Sequence, residues 1–153
     1  MNGGGRAPAA MRRRHEARLA AVQGLYQLDL AGGDPAEVAR EIVEHRPPDA
    51  PPLEEAWLRK VLVGAWTARA RLDPEIAAVL AEGWTLPRLG AVTRAILRAG
   101  AYELAELVEV PVRVVINEYV EITHLFAAGG EPAFVHAVLD RLAGKFRRSG
   151  EDA

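Results

Sequence analysis

Four arginines stand close together near the start of the chain, Arg12, Arg13, Arg14 and Arg18, and they are the residues best suited to chemistry. With Arg6 they leave residues 1–18 with five positive charges against the single Glu16, a net of +4. The chain as a whole stands at −2, so everything after residue 18 carries −6. Cations at the start of a helix oppose its dipole by a few tenths of a kcal/mol each. Something else has to favour them, and phosphate is the natural candidate. The guanidinium fork matches phosphate oxygens and keeps its charge at any working pH. Arg14 and Arg18, four positions apart, project from one helix face. The same composition also fits a basic arm that merely keeps the molecule dissolved.

Two further groups carry polar or aromatic chemistry. Phe134 and His136 open the last helical segment, and Phe134 lies ahead of that segment's apolar stripe. It is either core or an exposed stacking surface. Asn117, Glu121 and His124, with Glu118 beside them, form a polar stripe that reads as a solvated face or a hydrogen-bonded tie to a neighbouring helix.

Catalytic constellations are missing from the sequence. His15-Glu16 lacks the second histidine of a zincin motif, since position 19 is leucine, and His15, His45, His124 and His136 have no ligand spacing. No nucleophile elbow, phosphate-binding glycine loop or dinucleotide fingerprint occurs. The single serine, Ser149, lies in a polar tail. With no cysteine, disulfide scaffolds, thiolate chemistry and thiolate zinc sites are excluded. The expectation is a protein that binds without catalysing, with no cofactor and no metal.

These residues must be positioned by helices. Residues 1–10 are small and glycine-rich and read as a disordered lead-in; residues 149–153 read as a polar tail. Between them, residues 11–148 form one domain, a size that buries roughly 68–70% of the unfolded surface without staples. Leu19, Val22, Leu25, Tyr26 and Leu28 recur at helical steps from Met11 until Gly32-Gly33. Asp34-Pro35 predicts a cap and first-turn proline for a helix to about His45. A proline-dense linker, Arg46 to Pro52, follows and is the best internal boundary. Further helices are predicted over about Leu53–Arg71, Asp73–Ala81, Arg88–Leu107, Pro111–Ala127 and from Glu131-Pro132 onward. The β-branched run Val112 to Ile116 would suit a strand, but the apolar stripe continues past it at helical spacing. Tyr26, Trp57, Trp66, Tyr102 and Tyr119 fall at core-compatible positions. The fold class is all-α, about seven helices in two small packed sub-bundles.

No apolar run approaches the roughly 18–20 residues of a membrane span, and no apolar core follows the basic N-terminus as a secretory signal would require. A cytoplasmic location without membrane association is expected.

Taken together, several segments carry a resemblance. Arg14-His15-Glu16-Ala17-Arg18 with Ala21-Val22-Gln23-Gly24-Leu25-Tyr26 comes first, then Ile96-Leu97-Arg98-Ala99-Gly100-Ala101-Tyr102-Glu103-Leu104. Val110-Pro111-Val112-Arg113-Val114-Val115-Ile116-Asn117-Glu118 and Phe134-Val135-His136-Ala137-Val138-Leu139-Asp140 follow in register. In order and spacing the chain resembles the NusB family of transcription antitermination factors over nearly its whole length after residue 10. The resemblance implies an all-helical NusB-like fold and binding of boxA single-stranded RNA in nascent transcripts, chiefly of ribosomal RNA operons. It also implies the ribosomal protein NusE as partner, the transcription elongation complex as the setting, and a possible homodimer. The family's RNA-contacting element would be Arg12, Arg13, Arg14 and Arg18, with Phe134 and His136 lying nearby as secondary contacts. Glu16, Ala133 and His136-Ala137 depart from the family pattern and leave fewer positive charges there. About four neutralised phosphates would give a salt slope near −3. Other readings are a helical protein-interaction module, or a ribosomal RNA maturation factor of the same fold.

Overall fold

Seven α-helices and one 3₁₀ turn make up the described residues, 8–127 and 129–147, of a computed structural model. They are α1 (Ala9–Ala31), α2 (Pro35–Glu44), α3 (Glu55–Thr67), α4 (Arg69–Val79), α5 (Ala91–Glu106), α6 (Val112–Phe126) and α7 (Glu131–Phe146). The 3₁₀ turn is Leu86–Arg88. No strand occurs among the described residues. The Val112–Ile116 run is helical, because it turns Val115 and Ile116 into the core once per turn. The fold is all-α, as expected.

Several boundaries differ from the sequence pattern. The α1 helix starts at Ala9, two residues earlier than predicted, while residues 1–7 and 148–153 lie outside the described residues. At its other end Gly32 takes φ 73°, a left-handed conformation that closes the helix. Asp73-Pro74 is not a helix start. The break falls at Ala68, and Pro74 sits inside α4. The Asp73 carboxylate is instead drawn to α5, where it accepts two hydrogen bonds from Arg98 at 3.0 and 2.8 Å. A tertiary ion pair has overridden the local capping preference.

Helix α5 is the shared element. It packs against α1 and α3 on one side and against α4, α6 and α7 on the other. The first sub-bundle is α1, α2 and α3, so the proline linker joins two helices of one bundle and is not the boundary between bundles. One continuous core runs through both, with Leu25, Leu28, Leu58, Leu62, Ile96, Leu97, Leu104, Tyr119, Ile122 and Leu139 completely buried. Each such aliphatic side chain contributes about 1.5–3 kcal/mol by leaving water. Tyr26 departs from expectation. It is 39% exposed, because α1 turns Leu25 and Leu28 inward and leaves the phenol outside. Trp57 and Tyr119 are buried, and Trp66 and Tyr102 pack against the core from its margin.

Close helix approach needs a missing side chain at one position in particular. A Cβ at Gly64 would sit 2.2 Å from the Tyr102 ring, so α3 and α5 pack backbone against aromatic there. Polar ties then fix α5 along its length. Arg94 donates to Asp29 of α1 at 2.8 Å, and Arg98 bridges Asp29 and Asp73. At its far end the buried Arg147 donates to the carbonyls of Glu103, Leu104, Leu107 and Val110, closing the α5 C-terminus and the turn into α6.

Candidate nucleic-acid interface

The arginine cluster divides into an inward and an outward pair. Arg18 turns inward. Its Nε and Nη2 donate to the two oxygens of Glu103 on α5 at 2.8 and 3.0 Å, and its Nη1 donates to Glu118 Oε1 on α6 at 3.2 Å. The Tyr119 hydroxyl donates to the same Glu103 at 2.6 Å. Arg18 is 3% exposed and Glu103 0%. Burial alone would lower the Arg18 pKa, but the Glu103 carboxylate more than compensates and raises it. Burial and the Glu103 charge push the Tyr119 phenol well above its ordinary value. The guanidinium has no face toward solvent, and Glu103 accepts hydrogen bonds from both Arg18 and Tyr119. Arg18, expected as an RNA contact, is buried in this structure and knots α1, α5 and α6 together.

Arg14 occupies the margin. It donates through Nε and Nη2 to both oxygens of Glu54 at 2.9 Å each, and its guanidinium stacks 3.8 Å above the Trp57 ring. The Arg14 hydrogen bonds hold the Glu54 carboxyl below the usual carboxylate range. With the side chain 36% exposed, the outer edge of the fork still reaches water. As their spacing predicts, Arg14 and Arg18 share a face; Trp57 lies beside both. That face looks toward the protein.

Arg12 and Arg13 point outward, both exposed. They line a cleft of about 450 Å³ with Ala9, Met11, His15, Glu16, Pro51, Pro52, Glu118 and Glu121. The cleft exists because the proline linker folds back along α1. The Glu54 N–H donates to the Arg13 carbonyl at 3.0 Å, and Arg46 reaches Glu16 at 3.6 Å and the Pro51 carbonyl. Glu16, which departs from the family pattern, thus anchors the linker.

Opposite Arg13, His15 Nδ1 lies 2.9 Å from Glu118 Oε1. The hydrogen bond to Glu118, opposed by burial and aided by the charges of Glu118, Glu121 and Glu16, raises the imidazole pKa above its ordinary value. Burial would lift the Glu118 pKa, but the His15 hydrogen bond and the Arg18 charge outweigh it and hold the carboxyl low. Of the polar stripe on α6, Glu118 is therefore a tie to α1, while Asn117, Glu121 and His124 are exposed.

Phe134 and His136 are found elsewhere. Phe134 is half-buried, its ring 6.0 Å from that of Trp84 and tilted by 53°. Arg88 lies 5.4 Å above Trp84, which is 47% exposed. A groove of about 370 Å³ runs between them, bounded by Leu89, Gly90, Thr93, Gly130 and Glu131. His136 is exposed and does not line it. The start of α1 meets the end of α5 at Glu103, whereas the start of α7 meets the start of α5 at Gly90 and Thr93. From Thr93 to Glu103 is about 15 Å along a helix.

Linker residues Glu54, Pro51 and Pro52, and the tryptophans Trp57 and Trp84, complete these two surfaces without any local signal in the sequence.

The sequence pattern of the NusB family matches residues 15–144. The chain belongs to the NusB family. A NusB relative, the transcription antitermination protein of Nitrobacter hamburgensis, is 44% identical over 147 residues, covering 92% of this chain and 91% of that one. Among solved structures, NusB of T. maritima superposes with a TM-score of 0.74 at 27% identity, over 92% of this chain and 93% of that one. A second, described as the antitermination factors NusB and NusE in complex with dsRNA, gives 0.76 at 29% identity, over 89% of this chain and 99% of that one. The NusB fold thus accounts for the whole helical body. Among the described residues no helix is long and apolar enough to cross a membrane.

Proposed function

We propose that this chain is a transcription antitermination factor that binds boxA single-stranded RNA of nascent ribosomal RNA transcripts together with NusE, within the transcription elongation complex of the cytoplasm. The observation that carries the reading is the outward pair Arg12 and Arg13 on an open cleft, in a chain of the NusB family whose structural neighbour is a NusB bound to NusE and RNA. It acts by binding and performs no catalysis.

Arg12 and Arg13 grip backbone phosphates, and Arg14 offers the exposed edge of its fork. Phosphate contacts of this kind set position and orientation, not sequence. Bases are read by stacking and by their edges. The Phe134–Trp84 groove provides the stacking surface, with Arg88 at its margin, and His136, exposed on the first turns of α7, is a further contact. A strand that engages both surfaces follows the length of α5. The acidic remainder of the chain suits a basic ribosomal protein as co-binder.

Titration of a boxA RNA and a scrambled RNA of equal length, with and without NusE, tests this. Preference for boxA that tightens with NusE is the expected result. Equal binding of both RNAs refutes it, and RNA affinity indifferent to NusE removes the adaptor role.

A further inference from the structure

Three side chains of metal-ligand type meet on the wall of the cleft although they are remote in sequence. The imidazole of His15 comes from α1 and the carboxylates of Glu118 and Glu121 from α6, and one ligand atom from each lies within 4.8 Å of the other two. We propose that His15, Glu118 and Glu121 form a divalent-cation site, suited above all to zinc, that clamps the start of α1 onto α6.

The donor set supports this choice. One imidazole with two carboxylates is a combination zinc accepts, with the fourth position left to water or an exogenous ligand. Calcium and magnesium prefer all-oxygen shells. Glu118 and Glu121, three apart, share one face of α6 and point at the same spot. Ligand atoms on a tetrahedral zinc stand about 3.4 Å apart, so closure from the present spacing needs shifts of about an ångström in side chains, none of which is fully buried. The second shell is already built: Arg18 holds Glu118 Oε1 at 3.2 Å, and Arg18 is itself fixed by Glu103. Such partners orient the ligand carboxylate before the ion arrives.

Charge balance permits a cation. Glu118, Glu121 and Glu16 face the cleft, and the Arg18 charge is matched by Glu103. Arg12 and Arg13 on the cleft wall work against the ion's charge but favour an anionic oxygen in the open position. The imidazole must give up its hydrogen bond to Glu118 to bind, and no backbone movement is required. The inference is independent of RNA binding and is tested without RNA.

The experiment is calorimetric titration of the full-length protein with zinc chloride at neutral pH, with magnesium and calcium chloride as comparisons. One saturable zinc site is expected, at least tenfold tighter than either comparison ion. Glu121→Gln and His15→Ala are each expected to weaken it by about tenfold or more. His124→Ala, which removes the exposed imidazole one turn further along α6, is expected to leave it unchanged. Because Glu121 is exposed, its amide variant keeps the fold and remains decisive if His15→Ala loosens α1. Absence of a saturable zinc site, full affinity in Glu121→Gln, or loss of binding in His124→Ala would each overturn the proposal.

Discussion

Arg18 of α1 grips Glu103 of α5 through two parallel hydrogen bonds of 2.8 and 3.0 Å in a region closed to solvent. The most basic segment of the chain therefore also contains the most deeply buried cation among the described residues. Removing one member of a buried pair leaves the other charged without a partner, at a cost of about 3–5 kcal/mol. Arg18→Ala is expected to lower the unfolding free energy by that order, and Glu103→Ala to behave similarly. Urea denaturation checks this. A loss below about 1 kcal/mol would show that the pair does not hold the helices together.

The outward arginines should separate binding from folding. The double variant Arg12→Ala, Arg13→Ala is expected to stay within about 0.5 kcal/mol of the parent in stability, as exposed substitutions do. Its RNA affinity should fall, and its log–log salt slope should become shallower by about 1.4, or 0.7 per lost phosphate contact. With Arg18 withdrawn, the parent slope from this segment is about −2 rather than the −3 that four phosphate contacts would give. Filter binding across a salt series measures both quantities.

Stability should depend on pH through His15. Its folded-state pKa is raised by Glu118, so protonation strengthens the native state. That contribution is complete below the unfolded imidazole value of about 6.5 and is lost as pH rises through the higher folded value. The stability difference between the parent and His15→Gln is expected to shrink from pH 6 upward. Glu118 works at the other end, its lowered pKa giving stability that disappears only as pH falls through the acid range. Denaturation of both proteins from pH 3 to 9 traces the two limbs.

Arg147 should prove structural. It serves four carbonyls at the end of α5 and is buried. Arg147→Met keeps the stem but strips those acceptors, and a loss of about 2 kcal/mol or more is expected. RNA affinity of the folded fraction should be unchanged. Thermal unfolding combined with RNA titration distinguishes this from a direct contact.

Trp84→Ala tests the second surface. Its half-exposed ring adds little to the core, and a base stacked on it is worth about 1–3 kcal/mol. The expected outcome is weaker RNA binding, between about fivefold and a hundredfold, with the fold intact. Phe134→Ala should show the same loss together with some destabilisation, since that ring is more deeply set.

Helix number, fold class and most helix limits were legible from apolar spacing, because a stripe of Leu, Val and Ile declares its own buried face. The Val112 segment shows this well: local β preference gave way to a continuous helical stripe. What spacing could not reveal was partnership across the fold. Nothing near Arg18 marks it as different from Arg12 or Arg13; Glu103 lies 85 positions away. Asp73 looked like a cap because proline follows it, yet Arg98 claims its carboxylate. The same applies to His15, which has no ligand spacing along the chain and gains Glu118 and Glu121 only when α6 docks on α1. Tyr26 was misplaced because one residue on a stripe edge can fall either way.

The ion pairs spread along α5 have an evolutionary corollary. Glu103, Arg94 and Arg98 dictate both the rotation and the axial register of α1, so neither helix is free to drift alone. Grafting the opening segment of another NusB onto this chain should yield a sound hybrid only when its own fifth helix travels with it, whereas the peripheral second helix ought to be exchangeable by itself.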